Sequence, residues 1–190
     1  EKGLLPTEMG AKYNLFGLMC LGIGTLIDGI YTIKRLVYED KVCSLNELIL
    51  QTQQNFPDDE LFLKCRNLEG KYGTNSPESN ELAYKLSTLI GNTVHAHTLE
   101  NGVKISPALF RWFGDIYTAE YPATPDGRRK GERLSYGAAP CEFVKGMSPT
   151  SMLLSMGHLN MELFPDGCPV TMSFAKHALE SKNGRMAVKG

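Results

Sequence analysis

The densest chemistry in the sequence is the run Thr124-Pro125-Asp126-Gly127-Arg128-Arg129, inside residues 123–132 (ATPDGRRKGE). Pro125 fixes its own φ, Asp126 can close an Asx-turn, and Gly127 supplies a positive φ. Arg128, Arg129 and Lys130 follow directly. A tight turn carrying three cations has two uses. Arg128 and Arg129 can hold a substrate carboxylate bidentately, or they can pair with Asp126, Glu132 or Glu120 and lock the turn. The lock is the simpler of the two.

Three other groupings invite a chemical reading. Cys168 could serve as a nucleophile with His158 or His177 as base, but a thiolate needs a basic neighbour or a helix N-terminus. Asp166 and Pro169 offer neither. His95 and His97 are spaced as a strand-borne metal pair, yet they close a helical pattern that splays them apart. In 170–174 (VTMSF), alternation puts Thr171 and Ser173 on one face and Val170, Met172 and Phe174 on the other; which set faces inward stays open.

The elements that must position these groups read as follows. Leu26, Ile30, Ile33 and Val37 give one apolar helical stripe. Ser44-Leu45-Asn46-Glu47 is a capping-box pattern, so a helix starts there and stops near Phe56-Pro57. Pro57 with Asp58, Asp59 and Glu60 opens a short helix to about Asn67. Ser76-Pro77-Glu78 starts another, with Leu82, Leu86, Leu89 and Val94 on its buried side. Residues 1–102 thus read as mainly helical. From Val103 short apolar runs alternate with Pro and Gly, as strands and loops do, and 151–156 and 170–174 are strand or short-helix candidates. Helices packed outside strands make an α/β piece, read as one domain over 1–190.

Composition narrows the function. The chain has 190 residues, 42% hydrophobic content and a net charge of −1, which excludes disorder and an electrostatically driven nucleic-acid binder. The apolar run 15–27 is too short and glycine-rich for a membrane span. Five cysteines without a Cys-x-x-Cys pair point to free thiols in a reducing, cytoplasmic setting, not to a disulfide frame or zinc site.

The ATPDGRRKGE run resembles the TPDGRR signature of glycyl radical enzymes, the pyruvate formate-lyase-like family. Gly10-Ala11-Lys12-Tyr13-Asn14, residues 24–40 (GTLIDGIYTIKRLVYED), 44–56, the Lys71-Tyr72-Gly73 landmark, Ser148-Pro149-Thr150 and 166–179 resemble further family segments in collinear order. The resemblance implies a slice of a ten-stranded α/β barrel that encloses a radical site. It also implies that Phe110, Trp112 or Phe113 lines the substrate pocket, in place of tyrosines common in the family, and that Thr171 or Met172 approaches it from a barrel strand. Ordinary core packing is the plainer account of each.

Two family loops are missing: the Gly-Cys-x-Glu loop of the thiyl cysteine and the Arg-Val-x-Gly-Tyr loop of the radical glycine. The chain is therefore expected to be an internal fragment, inactive alone and binding no cofactor of its own. The parent would carry a glycyl radical installed by a radical S-adenosylmethionine activase. Its partners would be the remainder of that enzyme and the activase, with a homodimer at full length. The substrate could be pyruvate, a polyol, hydroxyproline, choline or an arylacetate. A stand-alone scaffold or interaction domain derived from the family is the alternative. Cut from a barrel, the piece would expose strand edges and apolar faces.

Overall fold

In the computed structural model, residues 3, 5, 10, 14–110, 120–170, 172 and 180 are described. Strand β1 (Leu15–Met19) leads into helix α1 (Ile23–Thr32), which continues without a break as a π-helical segment (Ile33–Glu39). Helices α2 (Leu45–Gln53), α3 (Asp59–Arg66) and α4 (Pro77–His95) follow, then β2 (Lys104–Ala108), α5 (Pro149–Met156) and a 3-10 turn at Met161–Leu163. The architecture is α/β.

Strands β1 and β2 pair in parallel, with Gly17 opposite Ser106 and Met19 opposite Ala108. Two short backbone bonds, Leu109 N–H to Gly167 O (2.9 Å) and Asp166 N–H to Pro107 O (3.3 Å), lay the 166–168 segment along the far side of β2. The apolar opening of the chain is thus shared between a strand and a helix. A five-residue apolar run carries no period that separates the two.

Local chemistry explains the helix starts. The Ser44 hydroxyl accepts the Glu47 amide at the head of α2, and the Asp58 carboxylate accepts the Glu60 and Leu61 amides at the head of α3. Such caps stabilise a helix by about 1 kcal/mol each. At α5, Ser148 and Ser151 cap each other reciprocally behind Pro149, which makes 149–156 a helix and not a strand.

Two stripes differ from the sequence pattern. Helix α1 buries Ile23, Ile27 and Tyr31, with Asp28 and Thr32 among them, and leaves Leu26 and Ile30 exposed. Both sets have helical spacing, and the polar residues in the buried set hid it. Helix α4 buries Ser79, Ala83, Ser87 and Gly91, while Leu89 is 63% exposed. Small side chains four apart let neighbours approach closely: a methyl on Gly91 would stand 2.5 Å from Leu163 Cβ.

The core forms two clusters. One gathers Ile23, Ile27, Tyr72, Ala83, Leu109, Met156, Leu159 and Phe164 around α1 and α4. The other gathers Leu36, Leu48, Phe56, Leu61 and Cys65 between the π segment, α2 and α3. Burying one such large side chain contributes about 1.5–3 kcal/mol.

Candidate functional site

The 124–129 turn closes as its sequence dictates. Thr124 N–H donates to Arg128 O (2.9 Å) and Gly127 N–H to Thr124 O (3.1 Å). The Asp126 carboxylate accepts the Thr124 hydroxyl (2.5 Å) and, more weakly, the Arg128 amide (3.4 Å). Gly127 sits at φ +82°, and a Cβ there would stand 2.6 Å from the Arg66 backbone nitrogen. Only glycine meets both demands.

The two arginines face different ways. Arg128 is 1% exposed. Its guanidinium donates to Thr124 Oγ1 (3.1 Å), Arg129 O (3.3 Å), Glu132 O (2.6 Å) and Pro122 O. It holds the loop together through neutral oxygens, and burial pulls its pKa down. Arg129 reaches across to α3, donating to Asp59 Oδ1 (2.7 Å) and Phe56 O (3.3 Å), and its guanidinium lies 4.0 Å from the Phe62 ring centroid. Glu132 takes Arg66 Nη1 (2.5 Å) and the Arg129 amide (2.7 Å). The carboxylates that hold the turn are therefore Asp59 and Glu132 on its outside and Asp126 within. Asp59 lies 70 residues from Arg129, beyond the reach of local pattern reading.

Under the turn lies a sealed polar cluster that sequence reasoning missed. Asp28 from α1, Asp126 from the turn, Lys71 and Cys141 are all buried. Lys71 Nζ donates to Asp126 O (2.6 Å) and Arg66 O (3.2 Å), and desolvation lowers its pKa. The Tyr72 amide donates to Asp28 Oδ1 (2.8 Å). Among the described residues, Asp28, Asp126 and Cys141 alone bring three metal-type donors together. Lys71 already supplies a cation in the same pocket. The only local hint was charge inside helical and turn patterns.

Beside the turn runs an apolar groove of about 380 Å³, walled by Leu21, Leu26, Ile30, Ile33, Pro125 and Leu134. The exposed stripe of α1 forms its floor.

The remaining predicted residues lie at the carboxyl end of the parallel ribbon or away from it. Phe110, directly after β2 and Leu109, is half-buried, as is Met172. Trp112, Phe113 and Thr171, together with Ser173, Phe174 and His177, lie outside the described residues. Cys168 is half-buried and burial pushes its thiol pKa up, the opposite of what a nucleophile needs. His158 is exposed. His95 Nε2 contacts Leu163 O (2.9 Å) and His97 Nδ1 contacts Thr93 O (2.7 Å), so each ring is engaged by a different carbonyl.

Along β1 all five residues are exposed, including Leu15, Phe16 (50%), Leu18 and Met19. Parallel strands normally lie covered on both faces. No helix among the described residues is long and apolar enough to cross a membrane.

Comparison with known proteins agrees with this architecture. Residues 1–117 match the profile of a family described as PFL-like, pyruvate formate lyase-like. The chain is 26% identical over 147 residues to the isethionate sulfite-lyase of Bilophila wadsworthia, covering 77% of this chain and 18% of that protein. It is 25% identical over 186 residues to the trans-4-hydroxy-L-proline dehydratase of Clostridioides difficile, covering 97% of this chain and 23% of that one. The fold superposes on the glycerol-bound B12-independent glycerol dehydratase of Clostridium butyricum with a TM-score of 0.82, at 24% identity, over 94% of this chain and 23% of the other. The chain spans less than a quarter of the length of these relatives.

Proposed function

The chain belongs to the pyruvate formate lyase-like family of glycyl radical enzymes, and we propose that it supplies part of the wall of such an enzyme's ten-stranded barrel. One observation carries this reading: β1 is a parallel strand, apolar at four of its five positions, yet exposed along its whole length. A strand of that composition belongs between neighbours. Further strands of the parent enzyme would cover it.

In this role the segment contributes container and not reagent. Its helices brace the ribbon, and Phe110 at the carboxyl end of the ribbon, with Trp112, Phe113, Thr171 and Met172, would line the substrate cavity. Apolar side chains there exclude water, which protects reactive intermediates. The reaction itself would use a glycyl radical and a thiyl cysteine carried elsewhere in the parent. A separate radical S-adenosylmethionine activase would install the radical, so this piece would be inactive alone. The relatives named above are a sulfite-lyase and dehydratases, and the parent is accordingly proposed to be a lyase or dehydratase of a small oxygenated organic substrate. Phenylalanine and tryptophan in the wall offer fewer phenolic donors to that substrate than tyrosines would.

Reading the coding sequence on both sides tests the proposal. A Gly-Cys-x-Glu loop upstream and an Arg-Val-x-Gly-Tyr loop downstream in the same frame are expected. An uninterrupted frame lacking both loops would overturn it.

A further inference from the structure

The sealed cluster beneath the turn has more acceptors than donors. Asp28 Oδ1 takes the Tyr72 amide, and Asp28 Oδ2 has no partner of ordinary hydrogen-bond geometry, the weak Cys141 thiol being the one side-chain donor beside the carboxyl. Asp126 Oδ1 takes the Thr124 hydroxyl and the Arg128 amide, while Oδ2 is met by the Cys141 thiol at 3.7 Å, a weak donor. The Cys141 sulfur also lies 3.4 Å from Thr25 Oγ1, which itself accepts the Ser135 amide. An oxygen of each carboxylate and the sulfur lie within 4.8 Å of one another, shut off from water. Lys71, the nearby cation, spends its hydrogen bonds on two backbone carbonyls. Lys71 is a single cation beside two carboxylates, and in a dry pocket one cation does not keep both of them ionised.

We propose that Asp28 is held as the neutral acid, and that its proton, beside Asp126 and Cys141, is the bolt that seats the 124–129 turn on α1. The proton serves as the hydrogen that the orphaned oxygen lacks. Its loss would put a second negative charge under the turn, loosening the contact that also closes one wall of the groove between Ile30 and Pro125. The device is independent of the barrel-wall function.

Every element around the pocket contributes to its electrostatics. These are Asp28 on α1, Cys65 on α3, Lys71 and Tyr72 between α3 and α4, Asp126 and Arg128 on the turn, and Cys141 beyond it. Burial, helped by the nearby Asp126 carboxylate, pushes Asp28 from 3.8 up to about 8, against relief from Lys71, the Tyr72 amide and the Cys141 thiol. An acid raised on folding contributes stability in full below its unfolded pKa, and that contribution is lost as pH rises through the folded value. The window for Asp28 therefore runs from 3.8 to about 8. Lys71, lowered by burial, acts in the opposite sense as pH approaches its unfolded value.

The test compares the full chain with Asp28→Asn by urea unfolding across this window, and follows ¹³C-aspartate carboxyl bands by infrared spectroscopy. Asparagine keeps an acceptor for the Tyr72 amide and replaces the acid proton with an amide hydrogen. The wild-type folding constant is expected to fall by up to about tenfold per pH unit relative to the variant. A protonated-carboxyl band is expected at pH 7, absent in Asp28→Asn and lost from wild type near pH 8. Absence of that band in wild type at pH 7 overturns the proposal. So does a folded variant that is much weaker than wild type at pH 7, and if Asp28→Asn does not fold, the wild-type band at pH 7 decides alone.

Discussion

Arg128 shows how a residue that looks reactive in sequence becomes structural. Its donors end on Thr124, Arg129, Glu132 and Pro122, inside a loop it helps to close, with 1% of its surface left to solvent. Removing it takes the donor from three carbonyls and the Thr124 hydroxyl, all part-buried, and a net loss of about 0.5–1.5 kcal/mol per bond follows. Arg128→Ala is therefore expected to lose about 3 kcal/mol in urea unfolding. Arg128→Lys should recover only part of that loss, because an ammonium cannot reproduce the planar fork. A loss within about 0.5 kcal/mol for Arg128→Ala would show that the turn closes without it. The turn itself was legible from Pro125, Asp126 and Gly127. What lies beneath it was not, because Asp28, Lys71 and Cys141 meet only in the folded chain, 43 to 113 positions apart.

Among the elements, α4 separates what periodicity reveals from what packing decides. Its start at Ser76-Pro77 was readable from capping chemistry. Its buried face was readable only in part: Leu82 and Leu86 pack half-buried against the core, whereas Leu89 is exposed and the fully buried positions are the smaller Ser79, Ala83, Ser87 and Gly91. Close approach selects the small set: Ser87 Oγ even folds back on Ala83 O at 2.7 Å while accepting the Asn160 amide at 2.9 Å. Ala83→Leu is expected to cost about 1–3 kcal/mol through overpacking. Leu89→Ser, at an exposed position, should stay within about 0.5 kcal/mol of wild type. Chemical denaturation of both variants checks the assignment, and the reverse order would return Leu89 to the core. The start of α5 follows the same logic, since Ser148 and Pro149 mark an N-terminus that the apolar run 151–156 alone leaves open between strand and helix.

At the scale of the whole molecule, two well-packed helical clusters stand beside a ribbon that, among the described residues, is lined on one side only. Segment 166–168 lines β2, whereas β1 presents Leu15, Phe16, Leu18 and Met19 outward. That asymmetry is what a section of a closed barrel carries, and it agrees with a chain spanning under a quarter of its relatives' length. Family membership was legible in the spaced landmarks from Gly10 to Gly167. The parallel partnership of β1 with β2 was not, because 84 residues separate the two strands and α1 through α4 intervene. Hydroxyl-radical footprinting, with mass spectrometry read at each residue, tests the barrel-wall role most directly by comparing the 190-residue chain with the full-length parent enzyme. Oxidation of Phe16, Leu18 and Met19 is expected in the short chain and strong protection of all three in the parent, with Tyr38 and Tyr84 serving as exposed references in the short chain. Equal oxidation of β1 in both proteins would contradict that role.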